Sequence, residues 1–80
     1  MTEDVLNTEQ EIVLDYLKGL RKIYEWETVF CLIRRFLINY NDSYMGWDVQ
    51  EAYFKLHEDE RTVVLIAFCE WDMVKEVSNE

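Results

Sequence analysis

Arg61-Thr62-Val63-Val64-Leu65-Ile66-Ala67-Phe68-Cys69-Glu70-Trp71 holds seven consecutive apolar residues, Val63 to Cys69, the longest such run in the chain. As a strand it would be the middle of a sheet. As a helix it would be a rod that other elements must cover. The β-branched Val63, Val64 and Ile66 favour the strand. The flanks favour the helix, because the apolar positions continue as Trp71, Val74 and Val77, with Glu70, Asp72, Lys75 and Glu76 between them. Val63, Ala67, Trp71, Val74 and Val77 share one face at helical spacing, and Val64 and Phe68 widen it. No Gly, Pro or Asn interrupts Asp59 to Val77. This pattern predicts one helix over 59–77. Its first two turns are apolar on nearly every side, and each exposed apolar side chain forgoes roughly 1.5–3 kcal/mol of burial. The remaining chain, or a second copy of it, is therefore expected to enclose that helix.

Working outward, Asn39 to Gly46 reads as a loop, because Asn, Asp, Ser and Gly cluster there for their turn chemistry. Asp48 and Glu51 beyond it have capping-box spacing, and a helix over 48–57 would turn Val49, Ala52, Tyr53 and Leu56 inward. Upstream, Thr8 and Glu11 also have capping-box spacing, which starts a helix at about Thr8 with Leu6 as a staple residue. Its apolar face carries Ile12, Val13, Tyr16, Leu17, Leu20, Ile23 and Tyr24, and its charged side offers Asp15–Lys18 and Arg21–Glu25 as surface pairs. From Ile12 to Tyr40 the apolar residues keep a heptad-like alternation. An unbroken helix over 8–40 would be about 48 Å long, too long for a compact domain of this size. A break within Gly19 to Glu27 is the preferred reading, giving helices over 8–24 and 27–39. Arg34 and Arg35 fall on the second of these, as a solvated edge or as partners of nearby carboxylates. The expected fold is all-α: a small four-helix bundle packed around the C-terminal helix, in a single domain covering 1–80.

Composition agrees. The chain has 80 residues, 50% of them hydrophobic and 15% aromatic, with no Pro and two Gly, which suits a few helices better than many short strands. Met1-Thr2-Glu3-Asp4 is acidic and without an apolar core, so it does not read as a signal peptide. No run is long enough to span a bilayer. Cys31 and Cys69 both lie in apolar runs and are expected to be small buried hydrophobes in a reducing cytoplasm.

Seventeen acidic residues against eight basic ones give a net charge of −9. Such a charge tells against nucleic acid as a direct ligand and against an anionic membrane, since both require Lys and Arg. It suits a basic protein partner, or simply solubility. His57 is the single histidine, and position 61 is Arg, so there is no His-Glu-x-x-His zinc motif. No cofactor, metal site or catalytic constellation is expected. Tyr44 and Trp47 are the residue types that anchor binding hot spots. With Asp42, Asp48, Glu51, Glu58, Asp59 and Glu60 they make up the expected partner-binding set. The expected function is a small acidic protein-interaction module. In its sharper form it inhibits a partner, such as a nucleic-acid-binding enzyme, by occupying the basic surface with carboxylates in place of phosphates. Phage anti-defence and toxin-immunity proteins share this size and acidity. The alternative is a structural or regulatory helical homodimer whose acidity serves solubility.

Overall fold

A computed structural model describes the backbone of residues 6–78 and the side chains of residues 6–74. The expectations for Met1 to Asp4 and for the side chains of Lys75, Glu76 and Val77 lie outside that range. Four helices follow in order: α1, Thr8–Ile23; α2, Val29–Asn41; α3, Trp47–Lys55; and α4, Glu58–Ser78. No strand occurs among the described residues, and Val63 to Cys69 is helical throughout.

α1 starts where expected, on a capping box shifted by one residue. The Asn7 side chain accepts from Gln10 N at 2.7 Å, and Gln10 Oε1 accepts from Asn7 N at 2.9 Å. Gln10 is also buried, and its amide donates to the Glu60 carbonyl, a role that exposed Glu11 cannot fill. Gly19 stays inside the helix; the break lies at Tyr24 to Thr28, the far side of the predicted interval. Arg21 explains its position. Its guanidinium donates to the backbone carbonyls of Glu25 (3.0 Å) and Glu27 (2.7 Å), which satisfies the turn as it leaves the helix. Thr28 then caps α2 by accepting from Cys31 N.

α2 ends in a paired turn: Ser43 N donates to the Tyr40 carbonyl and Tyr44 N to that of Asn39. Ser43 stands at φ 60°, the left-handed position usually given to glycine. The Asp48–Glu51 capping box does not form, because the N-cap lies two residues earlier, at Gly46, with no side-chain cap. Asp48 thus sits in the first turn, where a carboxylate favours the helix dipole. Glu60 caps α4 by reaching back to His57 N at 2.9 Å, and its other oxygen accepts from Asn7 Nδ2. The N-terminal ends of α1 and α4 are thereby tied together.

α1 packs against all three other helices. Val13, Leu17 and Leu20 meet Leu32 and Phe36 of α2, Val49, Ala52 and Tyr53 of α3, and Val64 and Phe68 of α4 in one core. Tyr16, Phe36, Tyr53 and Tyr40 run through it as successive tilted or edge-to-face rings, with centroids 4.8–5.8 Å apart. Arg61 closes the series over Tyr53, 4.3 Å from the ring centre.

α4 departs from expectation in its rotation. Its inner residues are Val64, Phe68, Trp71 and Asp72, whereas Val63 and Val74 face outward. The cause is a buried ion pair: Arg21 grips Asp72 through Nε–Oδ1 (2.8 Å) and Nη2–Oδ2 (3.1 Å). An inward carboxylate at 72 brings 64 and 68 inward with it and turns 63 and 66 away. The expected Arg21–Glu25 surface pair is therefore absent; Arg21 bonds only the Glu25 backbone. Enclosure of α4 is one-sided, and Val63 and Ile66 remain 45% and 51% exposed. The overall shape agrees: the Cα atoms span 37 × 28 × 16 Å, a slab, with a radius of gyration of 12.3 Å against about 11.6 Å for a typical compact chain of this length.

Candidate interaction face on α3

Once Val49, Ala52, Tyr53 and Leu56 turn inward, the spacing of α3 dictates what faces out. Trp47 and Phe54 are seven residues apart and so lie on one side of the helix. They are 79% and 72% exposed. Glu51 lies between them, with Asp48 and Lys55 along the same flank. Lys55 Nζ stands 3.7 Å from Glu51 Oε2, an exposed pair worth a few tenths of a kcal/mol. α1 adds Glu9 and Ile12 across a shallow groove lined by Asp48, Glu51, Ala52 and Lys55. α3 thus exposes two large aromatic side chains together with Asp48 and Glu51, and Glu9 joins those two carboxylates at the groove, where Lys55 is the cation.

The other expected site residues lie on other elements. Tyr44, 79% exposed, is on the connector that enters α3, and Asp42 is exposed at the end of α2. Glu58 and Asp59 are exposed at the start of α4, beside Thr62 and Val63. Glu60 does not belong to a free surface: one carboxylate oxygen caps α4 through His57 N, and the other, with the carbonyl, joins α4 to the start of α1. Asp59 Oδ1 accepts from Glu60 N, so it too serves the helix start. Phe54 was missing from the expected set. The signal for it was present, since the inner face assigned to α3 leaves residue 54 with no place in the core.

Most cations of the described residues are committed within the fold. Arg21 is buried with Asp72, Arg35 bonds Glu27 at 2.6 Å and lies over Tyr24, Arg61 lies over Tyr53, and Lys18 lies over Trp71. The Glu27 hydrogen bond raises the Arg35 pKa beyond its ordinary value. Trp47, Phe54 and Tyr44 make no ring or cation contact with another described residue. The protein's own aromatics attract guanidinium and ammonium groups, and these three remain open to such groups from outside.

A second concavity, about 280 Å³, lies against α2, lined by Glu27, Cys31, Arg34, Arg35, Ile38 and Asn39. Cys31 is exposed there, contrary to the expectation of a buried thiol, because α2 turns Leu32 and Phe36 inward instead. Cys69 is half-buried, and desolvation, then the nearby Asp72 and Glu70 charges, push its pKa up. His57 is exposed in the α3–α4 connector, remote in sequence from both thiols. Among the described residues no three His, Cys, Asp or Glu side chains are grouped to hold a metal ion, and no helix is long and apolar enough to cross a membrane. No family model, curated protein or solved structure matches the chain.

Proposed function

We propose that this protein is an acidic interaction module that presents the outer face of α3 to a basic protein surface and, by covering that surface, inhibits its partner. The single observation that carries the reading is the exposure of Trp47 and Phe54 on one side of α3, the helix that also presents Asp48 and Glu51 to the groove shared with Glu9. Large aromatics left in water bring no folding benefit and are the residues from which binding hot spots are built. Carboxylates around them attract Lys and Arg, and the rings receive those cations by cation–π contact. A surface that binds nucleic acid has this complementary character, so the sharper form of the reading is occlusion of such a surface. Phage anti-defence and toxin-immunity proteins are the functional classes to which it points.

Capture from an extract of the source cells tests it, with wild type and an Asp48→Lys, Glu51→Lys variant run side by side at low and high salt. Retention of a basic protein by wild type at low salt, lost at high salt and lost in the variant, is the expected result. Equal retention by both proteins at both salt concentrations refutes it.

A further inference from the structure

α2 is the chemical opposite of the rest of the molecule. Val29–Asn41 contains Arg34 and Arg35 and no carboxylate, whereas each of the other three helices carries at least two. It lies antiparallel to α4. At one end Arg61 reaches toward Tyr40, 6.0 Å from its ring centre. At the other, Arg21 links Asp72 to the carbonyls just before α2. Ile33 of α2 and Leu65 of α4 are half-buried against the core, and the two helices touch. Helical spacing then sets their outward neighbours. Phe30 and Leu37 lie one turn to either side of Ile33, while Ile66 and Met73 lie on the adjoining outer side of α4. All four are exposed, Phe30 at 77%. Arg34 borders this strip on α2 and Glu70 borders it on α4. Both are exposed, and neither forms an ion pair with another described residue.

The geometry points to a second copy of this chain as the occupant of the α2–α4 strip, related by a two-fold axis running along the helices. That operation lays α2 of each copy on α4 of the other and brings Arg34 of one toward Glu70 of its partner, twice. Three features favour this occupant. The strip carries one unpaired cation and one unpaired anion on opposite borders, which is the self-complementarity that an isologous contact requires. Its carboxylate-free helix is where two molecules of net charge −9 approach with least repulsion. Its exposed apolar area is on the order of 500 Å² per copy, taking ~200 Å² for a fully exposed large side chain. The polar border brings that near the ~800 Å² per partner of a stable interface. The inference does not rest on the proposed role of α3, whose groove with α1 involves Glu9 and Ile12, while α1 meets α4 through Gln10, Lys18 and Arg21.

Analytical ultracentrifugation over a wide concentration range is the test. Wild type sediments as a dimer, and Ile66→Asp sediments as a monomer with unchanged helical circular dichroism, since residue 66 is outside the core. Arg34→Glu and Glu70→Arg each weaken the dimer roughly 10- to 30-fold, by turning two attractions into two repulsions. Their combination restores it to within a few-fold of wild type. A wild-type protein that stays monomeric at its highest soluble concentration overturns the proposal. So does a double reversal no better than the single ones, which assigns the dimer to another surface.

Discussion

Asp72→Ala is the most informative perturbation of the fold. Arg21 and Asp72 side chains are each 10% exposed and joined by two hydrogen bonds, and the same guanidinium holds the carbonyls of the α1–α2 turn. Removing the carboxylate leaves a buried cation with only carbonyl partners, which costs about 3–5 kcal/mol. A domain of 80 residues has roughly 4–12 kcal/mol of total stability. The loss is therefore a large fraction of the whole, and urea unfolding followed by tryptophan fluorescence and circular dichroism should show a much lower midpoint at an unchanged slope. Arg21→Met combined with Asp72→Leu, which removes both charges and keeps apolar volume, should lose less than Asp72→Ala alone. A single-variant loss below about 1 kcal/mol would show that the pair is solvated and does not set the rotation of α4. That outcome would refute the account of why Val64 and Phe68, rather than Val63 and Val74, are inside.

Further outcomes follow from local geometry. Glu60→Ala removes the acceptor for His57 N and Asn7 Nδ2 and should lower stability by about 1–2 kcal/mol in thermal or urea unfolding, whereas Glu58→Ala should stay within about 0.5 kcal/mol of wild type. Ser43→Gly relieves the left-handed backbone at φ 60° and should raise stability by about 1 kcal/mol; no gain in urea midpoint would count against strain there. Burial raises the pKa of the Tyr53 phenol above its ordinary 10.0 and that of the Cys69 thiol above 9.0. Both groups then hold their protons longer in the folded than in the unfolded state. Their contribution is complete below pH 9 and is lost as pH rises through the folded-state values. Stability should fall as pH rises above 9, with Cys69→Ala flattening the earlier part of that decline.

Much of the fold was legible because it follows from periodicity. The four helices lie within about two residues of the spans that apolar spacing and turn residues imply, and the stretch around Val63 to Cys69 is a helix because its flanks continue the helical pattern. What the sequence hid were matters of pairing. Asn7 displaced Thr8 as the cap because Gln10 faces inward and also bonds α4, and no one-dimensional signal ties residue 10 to residue 60. Arg21 looked like a solvent-side charge; only its union with Asp72, 51 positions away, makes it a core residue. That union rotates α4 and explains why a helix apolar on nearly every side remains half-open. At the candidate site, Tyr44, Trp47, Asp48 and Glu51 are exposed, Phe54 lies on the side of Trp47 through the i to i+7 spacing, and the Glu60 side chain is occupied within the fold.

The claim on which the functional account rests is that Trp47 and Phe54 stand outside the fold in order to meet a partner. Its most direct test is the affinity of the captured partner for wild type and for a Trp47→Ala, Phe54→Ala double variant, with the urea midpoint of each protein measured alongside. The account predicts an unchanged midpoint and an affinity reduced by about 100-fold or more, as for two hot-spot anchors. An unchanged affinity, or a midpoint that falls by as much as a core truncation would lower it, would contradict the account.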